Sequence, residues 1–258
     1  MESSTESGLF EKRQPVFWNG FDVFLLFLLW LTMMSVGIGI VLPIFIGQDH
    51  SAQQSLQPVQ TTTDHPLSQL LEHGKKSPII LLVAFFSGVL SAPLTEEFLF
   101  RLVLQGWLTK KLNHWQFSII IVSVLFALAH AGKRTVQPVD IQFYTMLGIG
   151  IINLFLFCFG IFYLATIRGV SFGELGLKAN RIFYDWAVAA GTFIVSAPLI
   201  LSVHFLLRNN FPDKITDPIP LFIFSMILGL LYYRTGRLLP CVVLHALLNG
   251  FSFAVILL

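Results

Sequence analysis

The sequence predicts an all-α protein, a polytopic transmembrane helix bundle of about seven membrane-embedded segments. Hydrophobic residues make up 55% of the 258 and charged residues only 12%, about half the ~25% charge of a soluble domain. Mean hydropathy is +0.76, and 26 residues are Phe, far more apolar surface than the few polar residues can cover. The apolar residues also fall in runs near the ~20 residues that cross a ~30 Å hydrocarbon layer. These observations exclude a disordered chain, a disulfide-stapled secreted module and an ordinary cytosolic enzyme. Net charge is +2, from 16 Lys+Arg against 14 Asp+Glu, so no basic field points to nucleic acid.

The elements follow in order. Residues 1–20 form an N-terminal tail. Residues 21–47 make a first transmembrane span, Phe21 to Ile46, too long for a signal-peptide core and followed by no small-residue cleavage site. Residues 48–77 are rich in Gln, Ser, Thr and His and form a polar linker. Apolar character returns at Pro78 and lasts to Trp107, interrupted by Pro93, Glu96 and Glu97. Thirty residues at ~1.5 Å each exceed one straight span. The reading is a span from Ile79 to Leu90, a break near Pro93 and a second helix from Thr95 to Leu112. Further runs are Trp115–Ala131, Ile141–Ile167, Trp186–Leu207, Ile219–Tyr233 and Leu238–Leu258. The two cysteines, Cys158 and Cys241, lie in separate apolar runs without a CxxC partner and read as buried, inert thiols.

Basic residues orient the loops. With the N-terminus in the cytoplasm, the inner set is Lys12, Arg13, Arg101, Lys110, Lys111, Arg168, Lys178, Arg181, Arg234 and Arg237, against Lys75, Lys76, Lys133, Arg134, Arg208 and Lys214 outside. The expected location is therefore a multi-pass integral membrane protein, in the plasma membrane if the source is bacterial.

An ionisable side chain at the centre of a membrane helix costs about 2.5–3.5 kcal/mol on insertion scales, so function is sought where that cost is accepted. Four places stand out: Glu96, Glu97 and Arg101 in TEEFLFR, His130 in FALAH, His204 in LSVHF, and His245 with Asn249 in HALLN. Glu97 and Arg101 are four apart and can pair on one helix face, while Glu96 points about 100° away. Acidic residues in a first helical turn also simply complement the macrodipole. His130 reads as a helix-end residue or as a catalyst, and His204 as structural or interfacial. His245 and Asn249 share a face of the last helix, as inter-helix glue or as a working pair. Together these groups supply a general base, an assisting base or electrophile, and oxyanion donors for attack of water on an amide carbonyl. Carboxylate and imidazole are equally zinc ligands. The sequence holds no HExxH or GxGD motif.

At these residues the chain resembles the CPBP family of CAAX proteases and bacteriocin-processing enzymes, also called Abi. The diglutamate motif EExxxR matches Glu96, Glu97 and Arg101; FxxxH matches Phe126 to His130; HxxxN matches His245 to Asn249. The surrounding APLTEEFLFR and LLYYRTGRLLPCVVLHALLN, and the short ELGL element at Glu174 to Leu177, agree. The resemblance spans residues from about 67 to 258, with 78–258 as the protease core.

It implies a membrane endopeptidase similar to type II CAAX prenyl endopeptidases, acting on a protein or peptide substrate amid membrane lipids. Glu96 would activate water and His130 assist, while His245 and Asn249 would stabilise the oxyanion and Arg101 would orient Glu97. No cofactor is implied; if a metal such as zinc is present, Glu96, His130 and His245 are its expected ligands. His130 and His245 stand 115 positions apart, further than in most members, and the LGL element follows the diglutamate instead of preceding it. Residues of about 141–207 therefore read as an inserted or relocated helix pair. The competing functional readings are a catalytically silent scaffold or self-immunity protein that acts by binding, and a small transporter with an ionisable relay, favoured less because no symmetric interrupted segments are visible.

Overall fold

A computed structural model describes residues 16–46, 77–131, 139–177, 179–210 and 218–257. Most of the expected tail and nearly all of the polar linker 48–77 lie outside the described residues. Seven helices are described: α1 (Gly20–Ile46), α2 (Pro78–Leu112), α3 (Trp115–Ala129), α4 (Val139–Ile167), α5 (Ile182–Asn210), α6 (Pro218–Thr235) and α7 (Leu239–Leu257). Long apolar windows in α2, α4, α5 and α6 suit them to cross a membrane. α3, at 15 residues, rises only about 22 Å, short of the ~30 Å hydrocarbon layer. Large apolar side chains face outward along these helices, Val195 at 77% and Leu82 at 67% exposure. A bilayer removes the cost of such exposure.

The break expected near Pro93 does not occur. α2 runs unbroken for 35 residues, because two π-helical stretches, Phe86–Ser91 and Phe98–Gln105, flank the α-helical Ala92–Glu97. A helical proline has no N–H to give and its ring crowds the carbonyl one turn back. Widening the turn before Pro93 relieves the crowding, and Ala92 N–H donates to Ser87 O, five residues back. π-turns of this kind are often found at functional sites.

The chain divides into two compact units. The first comprises residues up to Val23, Glu96–Gly132 and Ile161–Leu247. Within it α3 and α5 pack against α6, around Phe98, Leu102, Val122, Phe126, Phe224 and Leu228, all at most 1% exposed. Gly229 lets the backbones close up: a Cβ there would stand 3.0 Å from Ile119 Cγ2, and its carbonyl accepts from Gln105 Nε2 at 2.9 Å. The start of α7 is pinned twice. Arg237 makes two 2.7 Å hydrogen bonds to the Asp185 carboxylate, and Leu238 N–H donates to Gly176 O at 3.3 Å. Gly176 has φ +72°, and a Cβ there would meet Leu238 N at 2.8 Å, so the ELGL loop requires glycine at this position. Near the N-terminus Trp18 Nε1 donates to Val103 O at 2.9 Å, and Asp22 accepts from Tyr163 and Arg168, each at 2.6 Å.

The second unit comprises Phe24–Thr95, Lys133–Gly160 and Leu248–Leu258. Here small polar side chains join α2 to α4: Ser87 Oγ donates to Met146 O and Thr95 Oγ1 to Asn153 O, both at 2.7 Å. Such hydrogen bonds, with small residues at the contact, are how helices associate in lipid, where apolar surface supplies little drive. Cys241 is buried, as expected, whereas Cys158 is exposed on α4. The reading of both as buried is corrected for Cys158: an apolar run in a membrane helix has a lipid-facing side as well as a core side.

Candidate active site

Glu96 and Glu97 close the α-helical stretch of α2, and successive residues on a helix face different ways. Glu97 points into the first unit and is fully buried, as is Arg101. Its Oε2 lies 3.1 Å from Arg101 Nε, the i,i+4 pair that the spacing predicts. Its Oε1 takes a second partner, His245 Nδ1 on α7 at 2.8 Å. Arg101 Nη2 in turn donates to Ser225 Oγ on α6 at 2.7 Å, and the guanidinium carbon stands 5.5 Å from the centre of the Phe126 ring, within cation–π range. The buried carboxylate thus joins a cation and an imidazole, the condition under which a buried charge is tolerated.

His245 is held by more than Glu97. The Phe224 and Phe126 rings meet its imidazole edge to face at centroid distances of 5.1 and 6.0 Å. With Nδ1 directed to a carboxylate, Nε2 is the nitrogen left to face the site, and it lies 3.8 Å from Glu96 Oε2. His130 reaches the same oxygen from α3, its Nε2 3.6 Å away. His130 caps the C-terminus of α3, and its Nδ1 lies 2.8 Å from Phe126 O, four residues back. A carbonyl only accepts, so Nδ1 carries a proton and Nε2 is the nitrogen turned toward Glu96. The FxxxH spacing therefore has a local reason: position four back supplies the carbonyl, and the Phe126 ring lies 4.5 Å from the imidazole.

Glu96 is the wetter of the two glutamates, its side chain 16% exposed where Glu97 is sealed. Its Oε2 is the point on which both Nε2 atoms converge. These separations exceed a short hydrogen bond but suit an ion pair or a single bridging water. Glu96, His130 and His245 are the donors a metal would use. Zinc ligands stand ~2.0–2.2 Å from the ion, and among the described residues no group of three or more His, Cys, Asp or Glu is arranged to hold one.

Asn249 follows His245 by one turn on α7 and falls in the second unit. There its Nδ2 donates to Gly88 O at 2.8 Å. The π-turn explains why that carbonyl needs a partner. The N–H of Ala92, its α-helical donor, is spent on Ser87 O, and Pro93, its π-helical donor, has no N–H. Asn249 therefore closes a gap opened by Pro93. Asn249→Ala is expected to lower stability by about 1 kcal/mol, the cost of leaving a half-buried carbonyl without its partner. Thermal unfolding of the purified protein checks this, and a melting temperature equal to wild type would refute it.

Four of the expected residues, Glu96, Glu97, His130 and His245, meet with Arg101 in one unit. His204, read as structural or interfacial, pairs its ring with neighbouring Phe205 at 5.9 Å. Sequence reasoning missed Ser225. A lone serine in the apolar run FIFSMIL was the available signal, since a buried hydroxyl in such a run needs a partner. It also missed Asp185, which sits in the first turn of α5 and there looks like an ordinary dipole-complementing acid.

A family model described as type II CAAX prenyl endopeptidase Rce1-like matches residues 78–169 and 165–251. These stretches contain all three motifs and take in α4 and α5. No curated protein and no solved structure matches the chain. With well over half of its residues matched and its apolar spans, the chain is an integral membrane protein that belongs to the type II CAAX prenyl endopeptidase Rce1-like family, a family of proteases.

Proposed function

We propose that the protein is an intramembrane endopeptidase that cleaves near the C-terminus, or in a membrane-proximal part, of protein substrates, as in CAAX processing. Glu96 activates the water. The observation that carries this reading is the convergence of two imidazole Nε2 atoms on one oxygen of the less buried glutamate, at 3.6 and 3.8 Å. A water placed there loses a proton to the Glu96 carboxylate as its oxygen adds to the amide carbonyl. The resulting oxyanion is stabilised by His245, which in its imidazolium form donates from Nδ1 to Glu97 and from Nε2 to the developing charge. Breaking the C–N bond requires a proton on the leaving nitrogen. Glu96 returns the one it took, with His130 assisting through Nε2. Asn249 is assigned to the oxyanion by resemblance; one amide N–H is given to Gly88 O, and the carboxamide carries a second.

Arg101 and Ser225 act through Glu97, holding its carboxylate so that His245 keeps one orientation. The reading needs no metal. A prenylated CAAX peptide is the substrate to try first because the family is described by that activity, and the N-terminus is placed in the cytoplasm on the loop charges. His130→Ala and His245→Ala are each expected to slow cleavage by about 10²–10⁴-fold, with activity retained in a chelator. Loss of wild-type activity on chelation, restored by zinc, would make Glu96, His130 and His245 ligands and overturn the glutamate-activated water.

A further inference from the structure

The C-terminal ends of α2 and α6 and the loop after α4 enclose a cavity of about 270 Å³. It lies apart from the glutamates: Gln105, which lines it, is nine positions beyond Glu96, about two turns further along the helix. Its wall carries one charge of each sign, Lys110 and Glu174, together with the aromatic side chains Trp18, Tyr232 and Tyr233. Lys110 Nζ donates to Val16 O at 2.8 Å, which commits one of its three N–H groups. Glu174 Oε2 accepts from the N–H and the hydroxyl of Ser171, each at 2.8 Å. These bonds hold the carboxyl below its ordinary pKa, in its charged form.

The surroundings divide the cavity chemically. α2 and α6 both end at it, and helix C-termini carry partial negative charge that favours a cation nearby. Tyrosine faces add to that attraction, and Glu174 completes it. Lys110 offers the opposite charge to an anion. Depth is marked independently. Trp115 stacks on Tyr233 at a centroid distance of 4.3 Å, Trp107 packs beside Gly20, and Lys110, Lys111 and Arg234 occupy the last turns of α2 and α6. Aromatic and basic residues gathered at the end of a span mark the headgroup layer of a bilayer.

We propose that this cavity binds the headgroup of a zwitterionic aminophospholipid, its phosphate at Lys110 and its ammonium between Glu174 and the tyrosine rings. The site is independent of the hydrolytic chemistry. A lipid seated there bridges the N-terminal segment, α2, α6 and the ELGL loop, and so stabilises their arrangement.

The test titrates the full chain in detergent with phosphatidylethanolamine, phosphatidylglycerol and soluble phosphoethanolamine, read by native mass spectrometry and thermal unfolding. Phosphatidylethanolamine is expected to remain bound and raise the melting temperature more than phosphatidylglycerol does. Glu174→Gln, whose amide oxygen can still accept from Ser171, and Lys110→Gln should each weaken its binding about fivefold, the scale of one partly exposed ion pair. Equal binding of the two lipids, or unchanged phosphatidylethanolamine binding in both variants, would overturn the proposal. Soluble phosphoethanolamine binding as tightly as the lipid would overturn the membrane as the source of the ligand.

Discussion

Glu96→Gln is expected to abolish peptide cleavage while leaving folded yield and melting temperature near wild type. The substitution keeps the size of the side chain and removes only its ability to take a proton. Glu96 has no buried cation of its own: Arg101 is paired with Glu97, and both nitrogens near Glu96 Oε2 belong to histidines at 3.6 and 3.8 Å. Neutralising it therefore strands no obligatory charge and relieves the cost of holding a carboxylate at membrane depth. Loss of a general base alone is worth about 10²–10⁴-fold, and loss of the water's position adds to that. Single-turnover cleavage and differential scanning fluorimetry on the same preparation check both halves. A Glu96→Gln protein that cleaves within tenfold of wild type would show that another group activates the water.

Arg101→Ala is expected to act on the opposite quantity, with folded protein lost first. Glu97 and Arg101 are both fully buried, and breaking such a pair by removing one partner costs about 3–5 kcal/mol, a large part of the ~5–15 kcal/mol stability of a typical domain. Ser225 would lose its donor in the same step. The double substitution Glu97→Gln with Arg101→Met removes both charges and should recover much of the yield. It should not recover the rate, because His245 Nδ1 then faces an amide in place of a carboxylate and its imidazolium loses its counter-charge. Folded yield by size-exclusion chromatography and the cleavage rate separate the two effects. Normal expression and normal cleavage by Arg101→Ala would remove Arg101 from the positioning role.

Much of this arrangement was legible in the sequence, and what was missed has physical reasons. Composition alone places the chain in a membrane, because 12% charged residues cannot solvate a 55% hydrophobic chain. The Glu97–Arg101 pair is a local fact, set by a spacing of four on a helix. The bond from Glu97 to His245 spans 148 positions, and no periodicity reports on it; only the resemblance put the two motifs in one site. Pro93 misled because proline is weighed against an α-helical register. In a π register the same residue is accommodated, and the cost moves to Gly88 O and is met by Asn249. Ser225 was signalled only by its hydroxyl in an apolar run, which names no partner, and Asp185 not at all, because an acid in a first turn already has a local reason until its partner from another helix is known.

The central claim is that this site hydrolyses a peptide bond with a glutamate-activated water. It is tested most directly by incubating the detergent-purified protein with a farnesylated CAAX peptide in the presence of a chelator and mapping the products by mass spectrometry. The expected result is a single cut after the prenylated cysteine, chelator-resistant in wild type and absent in Glu96→Gln. Cleavage that persists in Glu96→Gln, or that needs added zinc, would contradict the account.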